Sequence, residues 1–390
     1  MKKYLSLLLV LALAAALLSG CGSTEIRSYQ ADAEANNVNV FANAASAYAP
    51  DTLVATVDGT SVYWNEYAYW LAYIGSQIAY PDENGEIDWY AAEGSAEPLS
   101  ESLLEAAEQS LLQYHIIEAM AADEGVEFDA EGEKYVEDMI QKGIAATCGE
   151  EGTEADFVDY LKDYYLDLDV VRYQGKVQYL YEKLFAAKFG AEGEKISDAD
   201  LEEYVSENGL MYAKHILYSF TDAEGTELDD AGKAAQLEKA KAAVAQLRGI
   251  SDNAALETKF DELMTAESQD PGLAYYPDGY VFGPGEMMAE FEDGTAALKP
   301  YEVSDPVETS AGYHVILRLP LTGETSVGAD SDGSNITLRY QAAMSAFNDL
   351  ANARMEDAEI VWEKGFENPD LNKIFQTKSS GGFFAKLFGK

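Results

Sequence analysis

Ala311-Gly312-Tyr313-His314-Val315-Ile316 closes a compact segment of this chain, and Tyr212-Ala213-Lys214-His215-Ile216-Leu217 opens it. Only three histidines occur in 390 residues, and two stand in these similar phrases. Each lies in a short aliphatic and β-branched run that reads as a strand. Such a histidine is expected to be buried on one side. Two strands from the two ends of one segment would set both imidazoles side by side over a shared floor. Taken alone, the pair also allows a metal site or a catalytic triad.

Neither alternative finds further support. Three histidines make a His-rich metal site implausible. No Gly-x-Ser-x-Gly nucleophile phrase accompanies them, so acyl transfer lacks a partner motif. Cys148, in Thr147-Cys148-Gly149-Glu150, reads as an idle or buried thiol. Asp330-Ser331-Asp332-Gly333-Ser334 hints at a calcium loop, but its glycine is misplaced and Gln341 stands where a bidentate glutamate belongs. In the acidic run Asp82 to Glu93, Ile87 fills the required glycine position. Both read as solvated turns, and neither a metal nor a cofactor is expected.

Between the two histidine strands the pattern is helical, clearest over Ala234 to Leu247 and Ala254 to Thr265. Ser268-Gln269-Asp270 follows, then Phe282-Gly283-Pro284-Gly285-Glu286-Met287-Met288-Ala289-Glu290-Phe291-Glu292. Leu298-Lys299, the strand-like run Val303 to Glu308 and the corner Thr309-Ser310-Ala311-Gly312 lead into His314. In this order the motifs resemble a parvulin-type peptidyl-prolyl cis-trans isomerase domain over Gly209 to about Leu319. The resemblance implies that His215, Asp270, Thr309 and His314 form the polar site. It also implies that Phe282, Met287, Met288 and Phe291 hold the proline ring. Asp270 holds the position assigned to the group beside the rotating carbonyl.

This chain departs from the family at three places. Tyr276-Pro277-Asp278-Gly279-Tyr280 replaces the usual Gly-Gly-Asp-Leu-Gly, so the aliphatic wall residue is displaced or lost. Ala311 replaces a frequent serine. Thr221-Asp222-Ala223-Glu224 is acidic where a phosphate clamp would be basic, which argues against phospho-Ser/Thr-Pro clients.

The flanks point the same way. Leu53 to Gly59 reads as a strand ending in the hairpin signal Asp58-Gly59, and Asn65 is expected to cap a helix. The phrase Val54 to Tyr69 resembles the start of the N-terminal domain of PrsA- and SurA-type foldases. Leu103 to Val205 is helical, with stripes such as Leu104, Leu111, Leu112, Ile116 and Met120. His115 lies beside that stripe and is expected to be partly exposed. The abundant aromatics read as core, or as a cleft that grips unfolded segments. Ser197 and Asp200 form a capping signal. The helix around Tyr340 to Met355 and a strand near Glu359 to Trp362 need a partner surface, which the N-terminal region would supply.

Met1 to Gly20 has a secretory pattern, with Lys2 and Lys3 before the apolar Leu5 to Leu18. Leu18-Ser19-Gly20-Cys21 resembles a bacterial lipobox, which implies cleavage before Cys21 and acylation of its thiol. The net charge is -44, from 70 acidic and 26 basic residues. Such a surface repels nucleic acid and favours cationic or unfolded clients.

The expected architecture is α+β: a parvulin domain of small antiparallel sheet and surrounding helices, inserted into a mainly helical SurA/PrsA-like chaperone domain. Residues 1–20 would be the signal peptide and 21–50 a lipidated cysteine with its tether. Residues 51–208 would form the helical domain, 209–320 the parvulin domain and 321–335 a linker. Residues 336–368 would complete the helical domain, and 369–390 would be a flexible basic and aromatic tail. The expected function is isomerisation of Xaa-Pro bonds in exported proteins, at the outer face of the cell membrane, by a lipid-anchored foldase. Expected partners are unfolded clients and, through the lipid, the membrane; homodimerisation is left open. Two other readings stay open: a chaperone that binds peptides but turns over poorly, and a ligand-binding lipoprotein.

Overall fold

A computed structural model describes residues 39–82, 85–91, 97–329 and 333–377. The signal segment, Cys21, Asp330 to Asp332 and the tail from residue 378 lie outside them. The chain divides into two compact units. One comprises residues up to Lys188 with those from Ala346 onward, and the other Phe189–Ser345.

Order in the first unit starts earlier than expected. The run Val40–Ser46 is a 3-10 helix with Val40, Phe41 and Ala44 buried. Its Ala44 carbonyl accepts the Trp64 indole N–H at 3.0 Å. The tether expected up to Pro50 therefore gives way to packed chain from the 3-10 helix onward, because Val40, Phe41 and Ala44 present one apolar face.

Strands β1 (Leu53–Val57) and β2 (Thr60–Tyr63) form a hairpin. Asp58 and Gly59 both take positive φ, 48° and 83°, as a two-residue hairpin turn demands. Helix α1 (Trp64–Ile78) follows directly. Asn65 is not its cap: the helix begins one residue earlier without a side-chain cap, and Asn65 reaches toward Asp167.

Four helices follow: α2 (Leu99–Asp123), α3 (Ala130–Cys148), α4 (Glu154–Lys162) and α5 (Leu168–Phe189). Asp129 caps α3, and Thr153 with Asp156 forms a capping box on α4. Trp64, Tyr67, Trp89 and Tyr114 are all buried, so packing accounts for them. His115 is a correction. It is buried, not partly exposed, because Glu66 of α1 meets its Nε2 at 3.2 Å. Burial alone lowers its pKa, but Glu66 and Glu118 outweigh that and raise it.

The second unit begins with α6 (Asp198–Glu207), which carries the expected Ser197–Asp200 capping box. Then come β3 (Met211–Ser219), α7 (Asp230–Leu247), α8 (Asn253–Glu267), β4 (Tyr280–Phe282), α9 (Ala289–Ala296), β5 (Val307–Glu308) and β6 (Gly312–Leu319). The sheet is antiparallel in the order β4-β3-β6-β5. Val303 to Glu308 forms less strand than expected. Val303 makes only an isolated bridge to Leu317, and Pro306 lacks the N–H that a continuous ladder needs.

The register explains the site. His215 pairs with Ile316, and Leu217 with His314. Alternation along each strand then sends Ile216, Tyr218, Val315 and Leu317 to one face. There they pack on Ala240, Ala243 and Leu247 of α7 and on Phe260 of α8. Ala213, His215, Ile316 and His314 share the other face, whose apolar core includes Phe282 and Phe291.

Residues 321–335, expected to be a plain linker, hold β7 (Ser326–Ala329) and the start of β8 (Asn335–Thr337), which pair with each other. Helix α10 (Leu338–Asp357) follows, and β9 (Ile360–Trp362) pairs antiparallel with β1. The expected tail is also ordered at its start. Asp370 caps α11 (Leu371–Ile374), and Leu371, Ile374 and Phe375 are buried. Phe375 stacks on Trp89, with ring centroids 5.0 Å apart.

Candidate active site

Each polar residue of the site is held by a separate element. His215 comes from β3 and His314 from β6. Their diagonal placement on one sheet face brings Nδ1 to Nδ1 at 3.0 Å, with the rings nearly stacked. Phe291 of α9 stands edge-on to both rings, at 5.2 and 5.3 Å between centroids.

Asp270 reaches His215 because the chain before it docks on the edge of β3. The Gln269 amide donates to the Leu217 carbonyl at 2.8 Å, and Ser268 Oγ accepts from the Leu217 amide at 3.1 Å. Three donors converge on the Asp270 carboxylate. His215 Nε2 lies 3.1 Å from Oδ2, the Tyr280 hydroxyl donates to Oδ2 at 2.6 Å, and the Gly272 amide donates to Oδ1 at 3.0 Å. Burial pushes the carboxyl up, but these donors outweigh it and hold the pKa down at about 2. Burial, reinforced by His215, pushes His314 down to about 3.

These facts orient the chain of hydrogen bonds. An ionised Asp270 only accepts, so His215 Nε2 carries a proton. In the neutral pair His215 Nδ1 is then the acceptor, and His314 donates from its Nδ1. His314 Nε2 is left to accept from the Thr309 hydroxyl, 2.9 Å away. Thr309 Oγ1 accepts in turn from the Ala311 amide at 3.1 Å. Every donor in the chain points toward Asp270.

The expected proline-binding residues occupy different depths. Phe282 and Phe291 are buried and form a floor under the histidines. Met287 is partly buried against that floor, and Met288 is the exposed member, 36% accessible. Glu292 fixes the turn before them by accepting from the amides of Gly285 and Met287, at 2.8 and 2.9 Å. The anticipated residues His215, Asp270, Thr309 and His314 thus form one connected group, with Phe291 beneath the two rings. Sequence reasoning missed Tyr280 as a member. Its only signal was its place in the segment that departs from the family.

The model of the PPIC-type PPIase (rotamase) domain matches residues 215–319, the segment that contains these groups. The chain is 34% identical over 109 residues to the peptidyl-prolyl cis-trans isomerase Pin1 of Arabidopsis thaliana, covering 92% of that protein and 27% of this chain. The chain belongs to the parvulin family of peptidyl-prolyl isomerases.

The likeness extends past the parvulin domain. Foldase protein PrsA of Halalkalibacterium halodurans is 28% identical over 225 residues, which is 56% of this chain and 58% of that protein. Foldase protein PrsA of Geobacillus sp. (strain WCH70) is 52% identical over 60 residues, which is 15% of this chain and 21% of that protein. The chain thus spans between about a fifth and three fifths of the length of these two foldases. Among the described residues of this parvulin, no cluster of His, Cys, Asp and Glu side chains is placed to hold a metal.

Proposed function

We propose that the chain is an extracytoplasmic, membrane-anchored foldase. It isomerises Xaa-Pro bonds in exported proteins and assists their folding. Rotation about such a bond meets a barrier of about 18–20 kcal/mol because the amide is conjugated. No covalent bond breaks. The protein needs only to favour the twisted amide, and each ~1.4 kcal/mol of preference speeds the step about tenfold.

The observation that supports this reading most is the Asp270 carboxylate, ionised and fixed by three donors beside the histidine pair and its apolar floor. In this proposal Met287, Met288 and the floor of Phe282 and Phe291 hold the proline ring. Asp270 faces the rotating carbonyl, where a fixed charge distinguishes the twisted amide from the planar one. His215, His314 and Thr309 hold Asp270 in place and do not attack the substrate.

The anchoring part rests on the lipobox phrase at Cys21. Among the described residues no helix is long and apolar enough to cross a membrane. A lipid on Cys21 would supply the attachment. The helical unit would hold unfolded clients.

One observation favours a second reading. Gly279, at φ 100°, and Tyr280 occupy the segment where the family resemblance implies an aliphatic wall. A proline pocket without that wall would bind clients but turn over slowly. The non-acylated full chain decides between the two on a protein whose refolding is limited by proline isomerisation. Faster refolding, lost in Asp270→Ala and in Met287→Ala, supports the enzyme. Suppressed aggregation with no gain in refolding rate supports the second reading.

A further inference from the structure

Tyr280 lies where this chain departs from its family, and its placement is built rather than incidental. Its hydroxyl meets Asp270 Oδ2 at 2.6 Å, the shortest contact that carboxylate makes. Two glycines make room for it. A Cβ on Gly272 would lie 2.1 Å from the Tyr280 hydroxyl oxygen, so no other residue fits at 272 while the phenol is seated. Gly279 takes φ 100°, and a Cβ there would lie 2.7 Å from the Ala213 carbonyl oxygen. That close approach lets β4 run against β3 and pairs Tyr280 with Ala213. The Tyr276 ring then covers the Tyr280 ring, with centroids 4.9 Å apart.

We propose that Tyr280 is a positioning residue for isomerisation, its phenol fixing the Asp270 carboxylate that faces the client amide. The inference deepens the isomerase reading and rests on it. His215 and Tyr280 share Oδ2, while Gly272 holds Oδ1. Removing the phenol leaves the carboxylate with two donors instead of three, the imidazole alone at Oδ2 and the Gly272 amide at Oδ1, and so less firmly fixed against rotation about its Cβ–Cγ bond. Bonds to the ionised oxygen also favour the ionised form, so losing one raises the pH at which Asp270 takes up a proton. The proline ring is held by other residues, so client affinity has no reason to change. The loss falls on turnover.

The test uses the non-acylated full chain as wild type, Tyr280→Phe and Gly272→Ala. The last keeps the phenol but denies it its seat. Cis–trans exchange of a Xaa-Pro peptide gives kcat and KM, and carboxyl-carbon NMR gives the titration of Asp270. In Tyr280→Phe, kcat is expected to fall about tenfold with KM within about twofold, the size of one charge-assisted hydrogen bond. Asp270 is expected to titrate at higher pH. Gly272→Ala should shift both readouts in the same directions, so one well-folded variant suffices. An unmoved titration or an unchanged kcat in a folded variant overturns the proposal, as does a loss that appears only in KM. A wild-type chain without turnover sinks the isomerase reading itself. That outcome is told apart by the wild-type rate alone, and the titration then still shows whether the phenol holds the carboxylate.

Discussion

Asp270 sets the direction of the three hydrogen bonds that meet it, because an anion only accepts and each of these neighbours must donate. The histidines were legible in the sequence: apolar neighbours in two strand-like runs place them on one face once the strands pair. Tyr280 was not. Its role depends on Gly272, eight residues earlier, lacking a Cβ at the point where the phenol passes, and no local pattern encodes that. The histidines also predict opposite pH responses. His314 is held neutral down to about pH 3. Its folded pKa lies below the unfolded one, so it costs stability as pH falls from about 6.5 toward 3, by up to about 1.4 kcal/mol per unit. His115 has a raised folded pKa, beside Glu66. Its contribution is full below about pH 6.5 and lost as pH rises through the folded value. Urea unfolding between pH 5 and 8 should show the acid loss reduced in His314→Gln and the alkaline loss reduced in His115→Gln. Unchanged slopes in both variants would refute the assignments.

The elements follow the strength of their patterns. Helices α7 and α8 and strands β3 and β6 lie close to where periodicity puts them, because each buries a continuous apolar face. The β7–β8 ribbon escaped notice because most of its residues are exposed, so no apolar alternation marks it. The ordered turns at Val40–Ser46 and Leu371–Ile374 escaped for a different reason. Each is too short to show a helical period in the sequence, and its apolar residues find partners far along the chain. One glycine fixes the edge of the central strand pair. A Cβ on Gly312 would lie 2.2 Å from the Tyr218 carbonyl oxygen. Gly312→Ala is therefore expected to destabilise the parvulin unit by about 2 kcal/mol or more, by forcing β6 away from β3 two residues before His314. Thermal unfolding measures this directly, and a transition within about a degree of wild type would contradict the packing argument.

At the scale of the whole molecule, a parvulin unit interrupts a mainly helical unit that draws on both ends of the chain. Strand β9 shows the return, since it pairs with β1 across some three hundred residues. The sequence signalled that return as an orphan helix and strand whose partner surface the N-terminal region would supply. The proposed anchor makes its own prediction. Cys21→Ser should move the protein from the membrane fraction to the soluble extracytoplasmic fraction, and equal membrane retention of both forms would remove the lipid from the account. The central claim is that the site twists Xaa-Pro amides and that Asp270 carries the effect. Its most direct measurement is the cis–trans exchange rate of a short Xaa-Pro peptide by magnetisation-transfer NMR, with wild type and Asp270→Asn in the non-acylated full chain. The account predicts rapid exchange with wild type and at least about a tenfold loss with Asp270→Asn at unchanged peptide affinity. Equal exchange rates with the two proteins would contradict it.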